Sequence, residues 1–246
     1  MSLFNRTLAD GDRFEVASGT VRLKVNPRAS RVSLRLDRGG REIVATAPSA
    51  RHLKEAVAFA RSRADWIAGQ LARRPEATRL APGIMIEVFG RPVRLDAASG
   101  RARWIEPVDG STPRICAMGE GEGYARAVAL VLKRKALQVL TAHTLRHAAR
   151  LGAPTPSVAV ADARTRWGSC RAGAHGRAPA IRYSWRLALA PLEVADYVAA
   201  HECAHLLEMN HGPRFWGHVR TLVGDERPHR AWLRREGARL HAFGAQ

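Results

Sequence analysis

Residues 197–207 constrain the fold of this chain more than any other segment. They read YVAAHECAHLL, an apolar run interrupted by two histidines and one glutamate. On an α-helix, residues four apart stand one above the other on the same face, so His201 and His205 project from one side. Two imidazoles at this spacing can bind one zinc ion at about 2.0–2.1 Å. The segment therefore predicts a largely buried helix that carries two metal ligands.

Glu202 completes an HExxH motif with these two histidines. It directly follows the first ligand and can reach a water on the metal without binding the metal itself. A carboxylate in that position can accept a proton from the water and pass it to a leaving group. A bare HExxH match needs structural context, which the predicted helix and its apolar flanks supply. We therefore predict a zinc-dependent hydrolase with Glu202 as the general base.

A third histidine, His211, lies six residues after His205, which is the spacing of the third ligand in metzincins. However, Glu208 stands at the glycine position of that motif, and no methionine follows His211, so a metzincin is not expected. Asn210 can instead supply a left-handed residue that ends the helix and returns His211 to the metal.

The alternative third ligand is a carboxylate further along the chain, Glu226 or Glu236. The spacing favours His211, because three protein ligands plus a water form an open catalytic zinc site. His218 follows on the next predicted helix, and we interpret it as a surface or supporting histidine rather than a ligand.

The basic composition of the chain bears on its partners. There are 40 Lys and Arg against 22 Asp and Glu, giving a formal charge of +18 and a pI near 11.4. Such a charge attracts polyanions at low salt, so non-specific nucleic acid is a candidate partner. Only four of the cations are lysines, and an arginine- and alanine-rich composition explains the charge equally well.

The remaining composition indicates the compartment. Three widely spaced cysteines, Cys116, Cys170 and Cys203, do not suggest a disulfide framework, and there is no CxxC pair. No run of 18 apolar residues predicts a membrane span, and residues 1–14 contain no apolar segment of a secretory signal. We expect a chain of the reducing cytoplasm without a membrane partner.

Residues 1–118 are predicted to form a β-rich N-terminal part with one helix. Alternating apolar residues at 20–25, 32–36 and 43–45 indicate a small antiparallel meander with a turn at 37–40, and Ser49 is a plausible cap of a helix over 50–72 that ends at 73–75. A hairpin is expected around 90–92, with weaker strands at 102–105 and 114–117. The glycine-rich segment 119–123 is the predicted domain boundary.

Residues 124–246 are predicted to form the catalytic domain, which is mainly helical. Helices are expected over 125–151, 191–208, 214–223 and 228–243, and strands over 157–163 and 180–189. Separate groups of strands and helices are typical of the α+β class.

The motifs HECAHLLEMNHGPRFW, RTRWGSC and YSWRLALAP together resemble the YgjP-like metallopeptidase family, which is related to the SprT-like and Wss1-like proteases. The resemblance is strongest over residues 165–216. It implies a zincin-like catalytic domain with a short sheet over the HExxH helix, protein or peptide substrates, and His211 as the third ligand. It also implies that Cys203 is a buried side chain rather than a ligand. The segment after Cys170 departs from the family pattern at Arg171 and the residues that follow, which leaves the substrate groove undefined.

Several residues near the motif admit two interpretations. Trp167 and Cys170 are interpreted as core residues. Tyr183, on a predicted edge strand, could donate a hydrogen bond to an oxyanion or simply point outward. Phe215 and Trp216 are expected to pack the loop of the third ligand against the core. Three arginines near the predicted groove could bind a carboxylate or phosphate or form a solvated basic face: Arg164, Arg166 and Arg182.

Three functions are compatible with these features. The first is a zinc peptidase. The second is a zinc hydrolase of an anionic substrate such as a nucleotide, which the basic surface would favour although no glycine-rich phosphate loop is present. The third is a nucleic-acid-associated protease or binding protein, in which contacts to nucleic acid would be mainly electrostatic.

Overall fold

A computed structural model describes residues 7–16, 19–37, 42–72, 80–163, 165–173 and 177–243. The chain divides into two compact units, Met1–Glu76 and Ala77–Gln246. The described residues contain helices and three small mixed sheets, so the predicted α+β class is confirmed. No described helix is both long and apolar enough to cross a membrane.

The first unit contains a four-stranded sheet. Its strands are β1 (Arg13–Val16), β2 (Gly19–Val25), β3 (Ser33–Leu36) and β4 (Ile43–Ala47), in the order β1-β2-β4-β3. The predicted antiparallel meander is wrong, because β2 pairs with β4 in parallel. All five residues of β4 are buried, whereas β3 alternates between exposed and half-buried residues. The more apolar strand therefore takes the central position and β3 takes the edge.

Two helices cover this sheet. A 3₁₀ turn at Ala50–His52 leads into α1 (Leu53–Ser62), and α2 (Ala64–Ala72) follows after Arg63. Ser49 occupies the cap position but makes no capping bond, because its hydroxyl contacts Nδ1 of His52 at 2.9 Å. The predicted helix end at 73–75 and most of the predicted turn at 37–40 lie outside the described residues.

The second unit begins with another four-stranded sheet. It consists of β5 (Met85–Val88), β6 (Arg91–Ala97), β7 (Arg103–Ile105) and β8 (Arg114–Ala117), in the order β5-β6-β8-β7. The predicted hairpin is present, but its turn is Phe89–Gly90 rather than 90–92. Both turn residues have positive φ, 51° and 75°, as a type I′ turn requires.

The long helix α3 (Gly121–Arg150) follows this sheet directly. Gly121 and Gly123 are part of its first turn, and buried residues of β5, β6 and β8 share one hydrophobic cluster with α3 and the helices after it. The division of the chain at 76/77 therefore differs from the predicted boundary at 119–123. Glycine and charge alternate at that segment because it begins an exposed helix turn.

A three-stranded sheet and three helices complete the second unit. The strands are β9 (Ser157–Ala161), β10 (Gly168–Arg171) and β11 (Ala180–Ser184), in the order β10-β11-β9. A 3₁₀ turn at Trp185–Leu189 replaces the second half of the predicted strand over 180–189. It leads to α4 (Leu192–Ala204), α5 (Pro213–Val223) and α6 (Arg227–Ala242).

A polar cluster joins α4 to α3. Oδ1 of Asp196 accepts hydrogen bonds from His143, from Nε2 of His147 at 2.6 Å and from the Arg146 guanidinium at 2.7 Å. These atoms are closer than the roughly 3.3 Å that two ligands of one zinc ion keep, so they form a hydrogen-bonded network rather than a metal site. The network fixes α4 against α3 on the side that faces away from the HExxH histidines.

Replacing Asp196 with Asn should destabilise the protein by about 2 kcal/mol at pH 7, because hydrogen bonds to a carboxylate are lost. Burial alone would raise the pKa of Asp196, but the bonds from His143 and His147 outweigh it and lower that pKa. The stabilisation is therefore complete above the unfolded pKa of about 3.9 and is lost as the pH falls below it. Urea unfolding at pH 7 and at lower pH measures both effects.

Glu193→Gln is the matched control, since it makes the same chemical change at an exposed position of α4. It should change the free energy of unfolding by less than about 0.5 kcal/mol. Equal effects of the two substitutions would contradict the role given to the Asp196 network.

Candidate metal centre

The HExxH motif lies at the C-terminal end of α4, as predicted. Nine of the thirteen residues of this helix are buried, because it packs against other elements on most sides. His201 and Glu202 occupy its last turn, and His205 is the residue that ends it. Both histidines are half-buried, whereas Glu202 is only 5% exposed. The helix thus presents two imidazoles at a partly open surface beside a buried carboxyl group.

Three histidines converge at this end of the helix. The candidate ligand nitrogens of His201, His205 and His211 all lie within 4.8 Å of one another. Nε2 of His211 is 3.2 Å from Nε2 of His201. Two nitrogen ligands of a tetrahedral zinc ion with bonds of about 2.0–2.1 Å are separated by about 3.3 Å. The three side chains therefore fit a single divalent metal ion.

The protonation of these histidines suits metal binding. Burial, and then the neighbouring His205 and His211, lower the pKa of His201 to about 3. Burial also lowers the pKa of His205. Nδ1–H of His205 donates to the carbonyl oxygen of Glu208 at 3.0 Å, which leaves the lone pair on Nε2. Neutral imidazoles with an oriented lone pair are the form that binds metals.

The loop between α4 and α5 brings His211 to the other two histidines. The N–H of Glu208 donates to the carbonyl of Ala204, and the N–H of Gly212 donates to the carbonyl of Asn210. The predicted left-handed residue at Asn210 is wrong, because Phe89 is the one non-glycine residue with positive φ in the described part of the chain. Short backbone hydrogen bonds on both sides of Asn210 make the turn instead.

Phe215 and Trp216 pack against the three histidines. The Phe215 ring is fully buried, and its centroid lies 4.8, 4.5 and 4.6 Å from the rings of His201, His205 and His211. The Trp216 ring lies 5.9 Å from both His201 and His211. Both residues belong to the first turn of α5. The predicted packing of the third-histidine loop by these aromatic rings is therefore confirmed.

The rival carboxylates lie elsewhere in the site region. Glu226 is buried, and one of its oxygens lies 4.0 Å from the Arg220 guanidinium. Glu236 binds Arg235 and Arg239 on α6. Neither belongs to the group formed by the three histidines, and His218 is half-buried outside that group as well.

Glu202 lies against Gly168 at the start of β10. A Cβ atom added at Gly168 would lie 2.6 Å from Cγ of Glu202 and 2.7 Å from its carboxyl carbon, which is closer than real Cβ contacts. Burial raises the pKa of Glu202 to about 7, while the positive charge of Arg166 acts in the opposite direction. Gly168 therefore provides the space that the carboxyl group of Glu202 occupies. The sequence marked RWGSC as distinctive but did not reveal this contact.

The other residues of the motif segments have packing roles. Cys203 is fully buried, with its thiol 3.5 Å from the carbonyl oxygen of Thr144, and burial raises its pKa to about 12. Burial also raises the pKa of Cys170 to about 11. The ring of Trp167 stacks on His241 at 4.5 Å. Trp167 and Cys170 both pack against the core of the second unit, as expected.

Tyr183 does not occupy an edge strand. It belongs to β11, the central strand of its sheet, and its fully buried hydroxyl lies 2.8 Å from that of Thr144 on α3. The hydroxyl is therefore directed into the core, and the hypothesis that it binds an oxyanion is wrong. Arg166 and Arg182 are exposed, and Arg164 lies outside the described residues.

Two aromatic residues extend the site beyond the predicted set. Tyr197 lies four residues before His201 on the same face of α4, with its ring 6.0 Å from that of His201. Its other neighbour is His229 of α6, whose ring stacks at 5.7 Å. The spacing of four between Tyr197 and His201 was visible in the sequence, whereas His229 could be found only from the tertiary packing.

A buried helix with HExxH, a third histidine from the following loop and a buried glutamate define the class of a zincin-like metallopeptidase domain. The family model described as "YgjP-like, metallopeptidase domain" matches residues 30–236. The chain belongs to this family, which confirms the resemblance seen in its motifs. Comparisons with curated proteins and with solved structures gave no match.

Replacing Gly168 with Ala should destabilise the second unit by about 1–3 kcal/mol, because the new methyl group overlaps the carboxyl group of Glu202. Gly217→Ala is the control, since a Cβ at that helical position meets nothing within 4 Å. That substitution should stabilise α5 by up to about 1 kcal/mol. Urea unfolding of both variants checks the difference, and a Gly168→Ala protein as stable as the parent would contradict the contact.

Proposed function

We propose that this chain is a zinc-dependent peptidase in which His201, His205 and His211 bind the metal and Glu202 is the general base. The observation that carries the proposal is the convergence of three imidazole nitrogens within 4.8 Å beside a buried glutamate. Membership of a metallopeptidase family supports a metal-dependent reaction on protein substrates.

A bound zinc ion would supply Lewis acidity and lower the pKa of a coordinated water to about 7. The chain's own residues arrange the proton transfer. Because burial holds the pKa of Glu202 near neutrality, its carboxylate can take a proton at the pH of a cell and release it again. Arg166 keeps part of the Glu202 population ionised, since its positive charge opposes the effect of burial.

In the proposed hydrolysis the water oxygen forms a bond to the carbonyl carbon of the peptide. Glu202 takes one proton from that water and delivers it to the amide nitrogen as the C–N bond breaks. The products are a carboxylate and an amine, so no further reactant is required. The buried position of Glu202 restricts its proton exchange with bulk water, which suits a residue that acts first as base and then as acid.

The three cysteines support the proposed location in the cytoplasm. Cys116, Cys170 and Cys203 all carry free thiols, and Cys116 and Cys203 are buried. Free buried thiols are typical of proteins from reducing compartments.

Replacing His211 with Ala should lower the zinc affinity at least about tenfold, because one of three protein ligands is removed. His211 is exposed, so the variant should keep its fold. Metal content after dialysis against a zinc buffer, measured by elemental analysis, gives the result. His218→Ala is the control and should retain about one zinc per chain. Unchanged zinc in the His211→Ala protein would instead favour a carboxylate ligand such as Glu226 or Glu236.

Replacing Glu202 with Gln should leave the zinc content unchanged and lower peptide hydrolysis by about 10²–10⁴-fold, because the amide cannot accept the proton. Release of new amino termini from an unfolded protein substrate measures the rate. Glu193→Gln, the same change at an exposed position of α4, should retain full activity. Turnover by Glu202→Gln at the parental rate would overturn the assignment of the base.

A further inference from the structure

The first unit has a groove lined by arginines and aromatic rings. It encloses about 460 Å³ between β3 and the end of α1. Its lining includes Arg31, Phe59, Arg63 and Trp66, together with residues of β3, and no acidic side chain is among the residues around it. Volumes of about 300–1,000 Å³ are typical of ligand sites in proteins.

The aromatic side of this groove is open to solvent. Trp66 is 41% exposed, which is unusual for a large apolar ring, and Phe59 is half-buried. The Arg63 guanidinium lies 5.6 Å from the centre of the Phe59 ring. Exposed rings of this kind offer flat surfaces on which planar groups can stack.

The charges of the groove are not neutralised within the unit. Among the residues that the structure describes, neither Arg31 nor Arg63 has a carboxylate within 4.0 Å. Two guanidinium groups beside two rings therefore remain available for an anionic ligand with planar parts.

The second unit has a groove of the same chemistry, which encloses about 570 Å³ between β7 and α3. Four of its eight lining residues are Lys or Arg, compared with 40 of 246 in the whole chain. The Lys135 ammonium lies 4.7 Å from the centre of the Trp104 ring, and the indole N–H of Trp104 donates to Glu106 at 2.8 Å. The remaining cations of this groove are Arg101, Arg103 and Arg134.

We propose that the chain binds single-stranded nucleic acid through these two grooves, which we name the Trp66 groove and the Trp104 groove. A single strand alternates phosphates with exposed planar bases, and each groove combines unpaired cations with an aromatic ring. The net charge of +18 adds long-range attraction to the same ligand. Both grooves are concave, so a flat bilayer surface fits them poorly.

This binding is independent of the proposed peptidase reaction. None of the residues that line either groove belongs to the three-histidine group, and Glu202 is in neither lining. A protein without peptidase activity could therefore still bind a strand, and a protein that cannot bind a strand could still be a peptidase.

The test measures binding of a fluorescent oligothymidine, about 16 nucleotides long to cover one site, by anisotropy with the full-length zinc-loaded protein. Arg31→Glu in the Trp66 groove and Arg134→Glu in the Trp104 groove should each weaken binding about fivefold or more and lower the salt dependence by about one phosphate contact. Arg51→Glu and Arg234→Glu are the matched controls. They change the same charge at exposed positions outside the grooves and should weaken binding less than about twofold.

A second pair of variants tests stacking in the Trp66 groove. Trp66→Leu should weaken binding by about five- to tenfold, whereas Trp66→Phe should retain most of it, because only the second variant keeps a ring. Trp66 is exposed, so both variants should keep the parental unfolding midpoint.

Three results would overturn the proposal. The first is an equal loss of affinity in the groove variants and their controls, which would indicate a diffuse charge effect. The second is binding of inorganic polyphosphate as tightly as an oligonucleotide of equal charge, which would remove any role for the bases. The third is binding of anionic phospholipid vesicles, lost in the groove variants, without binding of the oligonucleotide.

Discussion

Burial of α4 between α3 and α5 is the constraint on which the rest of the second unit depends. One side of the helix bonds to α3 through Asp196, and the other side presents His201 and His205 to α5. Because the two sides are fixed independently, the ligands can face a partly open surface while the helix itself stays in the core. The Phe215 ring completes this arrangement, since it contacts all three imidazoles from the opposite element.

The features that the sequence could predict are those that depend on short spacings. The histidines of HExxH are four residues apart, so helix geometry alone places them on one face, and α3 and α4 were found from their 3.6-residue periodicity. The third histidine was less certain, because spacing left His211 in competition with two carboxylates. Its position depends on a loop whose course is set by hydrogen bonds that the sequence does not display.

Features that depend on long-range pairing could not be predicted from the sequence. The central position of β4 follows from its complete burial, and Tyr183 turns inward because β10 adds to the sheet beyond β11. β10 itself was missed, since four residues with glycine and cysteine give no alternating pattern. The contact between Gly168 and Glu202 joins residues 34 positions apart, and only the packed structure explains why glycine is required there.

The tip of the β5–β6 hairpin has a consequence for how this domain can be shortened. The N–H of Phe89, in the left-handed region, donates to the carbonyl oxygen of Ala188 at 2.7 Å, just before α4 begins. A fragment starting at residue 124 would remove this donor and the apolar side chains of β5, β6 and β8 that share the core with α3. The smallest piece of the chain able to retain a folded metal centre therefore starts no later than Leu80, well before the glycine-rich segment that resembles a linker.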